Sequence, residues 1–274
     1  MMPHLNVQLV VENVAKGQGM LAEHGLAYCL NVDGHQVLFD TGQGLPNVLQ
    51  NNADRLGINL DQTELIVLSH GHYDHTGAMP SVLEQAPAAK LHAHPAALEA
   101  KFSPEKQDRV RSIGMPEASR NAMERWQGTC ILNSEPLELL PGLFLTGEIP
   151  RTTDFEDTGG QFYLDQALTI QDPLLDDQAL FFESNAGTVV ILGCAHSGVI
   201  NTLIYIEKLT DNRPIHAVIG GMHLGSASKQ RIDKTIAAMK KWSPAIITPL
   251  HCTGMPATVA FHNAFPDALR ATLF

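Results

Sequence analysis

The stretch Ser69-His70-Gly71-His72-Tyr73-Asp74-His75-Thr76-Gly77 puts three histidines and an aspartate within six residues, directly after the apolar run Leu65-Ile66-Val67-Leu68. The run reads as a buried strand, and the polar cluster as the loop at its end. In an extended segment residues i and i+2 point the same way, so His70 and His72 can grip one ion as a pincer. Asp74 and His75 follow on a tightening backbone that starts a helix, and they can turn toward a second ion. Imidazole and carboxylate suit zinc, iron, manganese or nickel, so the donor types do not select one metal. The competing reading is a chance cluster of surface histidines or a single structural zinc. Strand placement, the His-x-His-x-Asp-His order and the following Thr-Gly together favour the metal loop.

The rest of the chain bounds what such a loop can serve. Its 274 residues, 44% of them hydrophobic, suffice for a sizeable core in one domain spanning 1–274. A formal net charge of -11 with 18 Lys+Arg argues against a general nucleic-acid binder, while leaving room for a local basic pocket that takes an anionic small molecule. Cys29, Cys130, Cys194 and Cys252 form no Cys-x-x-Cys pair, and reduced thiols in the cytoplasm fit them best. The start Met1-Met2-Pro3-His4-Leu5 lacks the pattern of a signal peptide. No apolar run approaches the roughly 20 residues of a membrane helix. A cytoplasmic protein without nucleic-acid or membrane partners is expected.

Taken in order, 5–11 reads as an opening strand, and 26–30 with 36–39 as a hairpin around Asp33-Gly34. The second strand ends in Asp40-Thr41-Gly42, and Asp40 is expected to orient a histidine ligand from behind rather than merely to make a turn. Residues 45–56 and 79–85 read as helices, the latter stopped by Pro87. A short strand over 90–93 carries His92 and His94, which read as strand residues rather than a second pincer. The polar, mixed-charge stretch 99–128 is expected to be a helical insertion or lid.

In the second half, hairpins are expected over 137–146 and 179–192, with Gly147-Glu148-Ile149-Pro150-Arg151 and a loop-rich acidic segment between them. Strands over 188–192, 215–219 and 245–248 run into Gly193-Cys194-Ala195-His196, Gly220-Gly221-Met222-His223 and Pro249-Leu250-His251-Cys252, each followed by a helix. Four strands thus end in histidine-bearing loops, and strand-end loops on one edge of a layered fold are where sites are built. Both halves run strands first and then strand-loop-helix units, which suggests two similar halves packed sheet on sheet with helices outside.

With these segments the chain resembles the metallo-β-lactamase-fold superfamily over nearly its whole length. Within it, Leu38-Phe39-Asp40-Thr41-Gly42, Thr146 to Arg151, Gly193 to Thr202 and His251-Cys252-Thr253-Gly254 are most similar to the branch named for 7,8-dihydropterin-6-methyl-4-(β-D-ribofuranosyl)aminobenzene-5'-phosphate synthase. The resemblance implies an α/β fold, a four-layer αβ/βα sandwich with a metal site at one edge. It implies His70 and His72 at a first metal position and Asp74 and His75 at a second, with His196 and His251 as the remaining histidines. One or two divalent ions are implied, zinc first, with iron, manganese, nickel or magnesium as alternatives. The superfamily's bridging aspartate follows a glycine at a strand end. Here Gly193-Cys194 stands in that place, and Cys194 reads as a buried spectator in preference to a bridging ligand. His223 is a candidate for a ligand or a hydrogen bond to substrate.

These residues point to a metal-dependent enzyme acting on a phosphorylated or pyrophosphorylated small molecule, as a hydrolase or as a pterin-type synthase. The ion would activate water or stabilise a leaving pyrophosphate. Arg151 as a bidentate donor and Thr253 through its hydroxyl are candidate phosphate holders. Asp74, His223 and Glu148 are the candidate catalytic groups, Glu148 being equally suited to pair with Arg151. The alternatives are a hydrolase of an ester, lactone, thioester or phosphodiester, and a non-catalytic metal-binding module.

Overall fold

The computed structural model describes residues 3–107 and 109–270; residues 1, 2, 108 and 271–274 lie outside the described residues. Contacts divide the chain into two compact units. Of the described residues, one comprises 5–134 with 161–176, and the other 3–4, 135–160 and 177–270.

The first unit contains β1 (Leu5–Val11), β2 (Ala27–Val32), β3 (His35–Phe39), α1 (Val48–Leu56), β4 (Thr63–Val67), α2 (Tyr73–Thr76), α3 (Met79–Gln85), β5 (Lys90–Ala93), β6 (Phe102–Pro104), β7 (Val110–Ser112), α4 (Glu117–Arg125) and β8 (Thr129–Leu132). Six of its strands form a sheet in the order β1-β2-β3-β4-β5-β8. The β2–β3 hairpin turns through Asp33 and Gly34, both at positive φ, as a two-residue hairpin loop requires. From β3 to β8 the pairing is parallel. Parallel strands are covered on both faces and read as unbroken apolar runs, and Ile66, Val67 and Leu68 are accordingly fully buried. Because β3, β4 and β5 run the same way, their carboxyl ends open on one edge, with Asp40, His70 and His94 just beyond them. Leu38, Ile66, Met79, Val82 and Leu91 anchor the core beneath that edge.

The second unit contains β9 (Leu137–Leu140), β10 (Leu143–Leu145), β11 (Ala179–Ser184), β12 (Gly187–Leu192), α5 (Val199–Leu209), β13 (Ile215–Gly221), α6 (Lys229–Met239), β14 (Ile246–Leu250) and α7 (Met255–Ala264). Its sheet order is β14-β13-β12-β11-β10-β9, with β12, β13 and β14 parallel. That common direction delivers Cys194, His196, His223, His251 and Cys252 to the carboxyl ends of neighbouring strands. Phe181, Val190, Leu203, Val218, Met239 and Phe261 form the core.

Three elements depart from the sequence expectations. Among the described residues of 99–128 only Glu117–Arg125 is helical; the paired strands β6 and β7 precede it. Strand β8, which carries the apolar residues Cys130, Ile131 and Leu132, was not expected; it has one half-buried residue and three exposed ones. Strand β14 continues through Pro249 to Leu250, which a proline permits on the outermost strand of a sheet. No helix among the described residues is long and apolar enough to cross a membrane.

Candidate metal centre

In the first unit β4 ends at Val67, and the loop beyond it carries the four donors that spacing singled out. His70, His72, Asp74 and His75 are all buried. Nε2 of His70 lies 2.9 Å from Nδ1 of His72, and the rings of His70 and His75 have centroids 4.2 Å apart. The single turn of α2 swings Asp74 into the same group, with its Oδ2 3.9 Å from Nε2 of His75. His24, which the sequence did not single out, reaches this oxygen at 3.3 Å.

The aspartate that ends β3 holds this loop from behind. Asp40 Oδ2 accepts from the Ser69 hydroxyl at 2.6 Å and lies 2.7 Å from Nδ1 of His75. Oδ1 accepts the Ser69 N–H at 2.7 Å. A carboxylate accepts here, so Nδ1 of His75 carries the proton and Nε2 keeps its lone pair for a cation. Gly71 lies between the two pincer histidines in a space only glycine fits: a Cβ there would meet the Ala97 carbonyl oxygen at 2.1 Å. Three imidazoles and a carboxylate, buried and converging with one imidazole tautomer set by Asp40, make a donor set that fits a divalent cation of borderline softness.

The second unit presents its own set. His196 is fully buried, with Nδ1 2.8 Å from the Thr158 carbonyl oxygen, so that its proton also resides on Nδ1. Arg151, exposed, donates from Nη1 to the His196 carbonyl at 2.9 Å. The next residue, Ser197, gives its N–H to Asp177 Oδ2 at 2.7 Å. Burial pushes the Asp177 carboxyl up to about 6, against the backbone N–H groups and Arg151 that favour its charged form. The His196 and His223 rings are 4.2 Å apart between centroids, and His251 is buried at the end of β14.

Donor atoms of Cys194, His223 and Cys252 all lie within 4.8 Å of one another. Cys194, expected as a spectator, is buried within that group. The His223 N–H donates to Cys252 Sγ at 3.3 Å. Burial works against the charged form of each partner. The Cys194 contact and the neighbouring His223 nevertheless hold the Cys252 thiol well below its ordinary value, and Cys252 raises His223 in turn. Thr253 is buried. Its hydroxyl accepts the Met222 N–H at 3.0 Å and reaches the Gly220 carbonyl at 3.4 Å, which ties the ends of β13 and β14 together. Glu148 is exposed.

The strand ends share one backbone feature. Asp40, Ala195, His223 and His251 have φ of 60, 55, 44 and 50°, in the left-handed region that side chains other than glycine's rarely adopt. His92 and His94, by contrast, join no candidate ligand group among the described residues. His94 Nδ1 accepts the Ala96 N–H at 3.1 Å as a cap, and burial, with Lys90 nearby, lowers His92.

Sequence reasoning missed Glu156, a half-buried carboxylate that accepts the N–H groups of Ile200 and Asn201 at 2.9 and 2.8 Å in the first turn of α5. It also missed Lys101, Asp172 and Asp176, buried together in the first unit. Neither group has a local signal, because each partner is distant in sequence.

The chain belongs to the metallo-beta-lactamase superfamily, whose family model matches residues 22–231. It is 29% identical over 255 residues to the 7,8-dihydropterin-6-methyl-4-(beta-D-ribofuranosyl)-aminobenzene-5'-phosphate synthase of Methanocaldococcus jannaschii, covering 90% of this chain and 86% of that one. An uncharacterized protein of the same organism is 30% identical, with 92% and 91% covered. Among solved structures, Tm1679, described as a metal-dependent hydrolase of the beta-lactamase superfamily, is similar with a TM-score of 0.81 and 29% identity over 97% of this chain and 95% of that one. YhfI of Bacillus subtilis, a metallo-beta-lactamase fold protein, has a TM-score of 0.56 at 13% identity, covers 98% and 96%, and shares the fold.

Proposed function

We propose that this protein is a metal-dependent enzyme that acts on a phosphorylated or pyrophosphorylated small molecule, as a hydrolase or as a pterin-type synthase. The observation that carries the reading is the similarity, over 90% of this chain, to the Methanocaldococcus synthase, named for a 5'-phosphate. The converged donors of the β4 loop support it. The proposed ligands are His70, His72, Asp74 and His75; His196 and His251 are proposed as ligands as well. They would hold one or two divalent ions, zinc first. Such an ion supplies a Lewis acid that offsets negative charge on phosphoryl oxygens.

The chain's own groups do the rest. Asp40 and the Thr158 carbonyl keep the protons of His75 and His196 on Nδ1. The exposed Arg151 guanidinium is the proposed anion holder, and its bond to the His196 carbonyl fixes its place. Asp74, His223 and Glu148 are the proposed proton carriers. The four free cysteines fit a reducing compartment, and a cytoplasmic location is proposed on that ground. A second reading, hydrolysis of an ester, lactone, thioester or phosphodiester, is favoured by the similarity to Tm1679.

The test is elemental analysis of the purified protein, followed by a panel of phosphoesters, pyrophosphorylated pterins and lactones, each with metal-stripped and reloaded protein. Metal-dependent turnover of the phosphorylated compounds supports the proposal. Turnover confined to lactones or carboxylic esters moves it to the second reading. Bound metal without turnover of any compound supports a binding module.

A further inference from the structure

Lys101 is a lysine with no exposed surface. An ammonium group is costly to bury unless carboxylates and hydrogen bonds surround it. Here Nζ donates to Asp172 Oδ2 at 2.9 Å and to Asp176 Oδ1 at 3.0 Å. Both aspartates are themselves buried, and Asp172 Oδ1 accepts the Leu174 N–H at 2.8 Å. Apolar residues of equal volume commonly replace such buried ionic groups without loss of stability, so stability alone is a poor account of this one.

The last bond of the network gives a better account. Asp176 Oδ2 accepts the N–H of Gly71 at 2.7 Å, and Gly71 is the residue between His70 and His72. Lys101 reaches the same loop by a second route. Its carbonyl accepts the N–H groups of Ile113 and Gly114 at 2.8 and 3.2 Å, the Ile113 carbonyl accepts the Tyr73 N–H at 2.9 Å, and His72 pairs with Gly114 as an isolated bridge. The loop that carries the two pincer histidines is thus gripped at Gly71 by a carboxylate and at Tyr73 by a backbone strap, both leading back to Lys101.

We propose that Lys101 and Asp176 are positioning residues for the metal loop. Asp176 fixes the peptide at Gly71 and with it the separation of the His70 and His72 rings, while Lys101, shared with Asp172, holds Asp176 in place. The assignment rests on the reading of His70 and His72 as ligands.

Cobalt(II) is the probe. The full-length protein is stripped with chelator and titrated, with visible absorption reporting the ligand field and chelator competition the affinity. Asp176→Asn keeps the shape but weakens the grip on both Gly71 and Lys101; it is expected to lower cobalt affinity about 10–100-fold and to change the absorption bands. Asp176→Glu, which retains the charge but misplaces the oxygen, is expected to weaken binding in the same direction. Asp172→Asn takes an equivalent partner from Lys101 without touching Gly71, so it should lower the melting temperature of the metal-free protein yet leave cobalt affinity and bands as in the parent. Parent-like cobalt binding by both Asp176 variants overturns the proposal, as does equal weakening by Asp172→Asn. A parent protein that binds no cobalt overturns the ligand reading as well, which separates the two failures.

Discussion

Oδ2 of Asp40 lies 2.7 Å from Nδ1 of His75, and neither side chain has exposed surface. With Ser69 donating to both carboxylate oxygens, the aspartate cannot rotate away without breaking three short bonds, and the imidazole cannot exchange tautomers without losing its own bond to Oδ2. Asp40→Asn offers an amide where a carboxylate accepted. Affinity for a divalent ion is expected to fall about 10–100-fold, read by chelator competition. Parent-like affinity would show that the geometry does not depend on this contact.

Gly71 is tested by adding one carbon. Its Cβ would lie 2.1 Å from the Ala97 carbonyl oxygen, a backbone atom that no side-chain rotation can move aside. Gly71→Ala is therefore expected to cost about 1–3 kcal/mol in urea unfolding and to reduce the metal content of the purified protein. Unchanged unfolding and metal content together would show that the loop has room to spare.

Glu156 acts at the start of α5, where the cap residue Gly198 has no side chain to offer. Glu156→Ala leaves two buried N–H groups without an acceptor and is expected to cost about 1–2 kcal/mol. The pH dependence has a definite sign. Burial outweighs the hydrogen bonds and raises the carboxyl above its ordinary 4.5. The folded state therefore binds the proton more tightly than the unfolded one. The stability that Glu156 gives over Glu156→Gln is fully present below its ordinary pKa and declines as pH rises through the raised value. Urea unfolding of the two proteins across that range reads the trend, and a difference that grows with pH would reverse the assignment.

The cysteines differ in what reaches them. Burial pushes the Cys29 thiol up to about 11, whereas Cys130 lies exposed on β8. Because the thiolate is the reactive form, a disulfide-exchange reagent at mildly alkaline pH should label Cys130 in the native protein and Cys29 only after unfolding. Peptide mapping by mass spectrometry gives the order; early labelling of Cys29 would contradict its burial.

What the sequence disclosed and what it hid follow from distance along the chain. The pincer His70–His72 and the turn carrying Asp74 and His75 are local, so spacing alone brought them together. Asp40 was legible because a carboxylate at a strand end beside such a loop has few other uses. Lys101 finds its partners 71 and 75 residues away, and Glu156 finds Ile200 44 residues away, so no local pattern marks either. The trio Cys194, His223 and Cys252 comes together only through the parallel pairing of β12, β13 and β14. Strands β7 and β8 escaped for another reason: Val110-Arg111-Ser112 is too short and polar for a periodicity to detect, and the apolar Cys130-Ile131-Leu132 of β8 is a run of only three directly after the polar stretch.

The left-handed backbone at Asp40, Ala195, His223 and His251 has a consequence for the protein's descent. Residues held in that region cost on the order of 1–3 kcal/mol each. Glycine would relieve that cost only by giving up the side chain, which at Asp40 is the acceptor for Ser69 and His75; a lineage freed from the chemistry of its strand ends has less reason to keep such side chains. Asp40, Ala195, His223 and His251 thus serve as a record of constraint: in any descendant of this chain, their retention against that cost would mark a protein still selected for what its strand ends do.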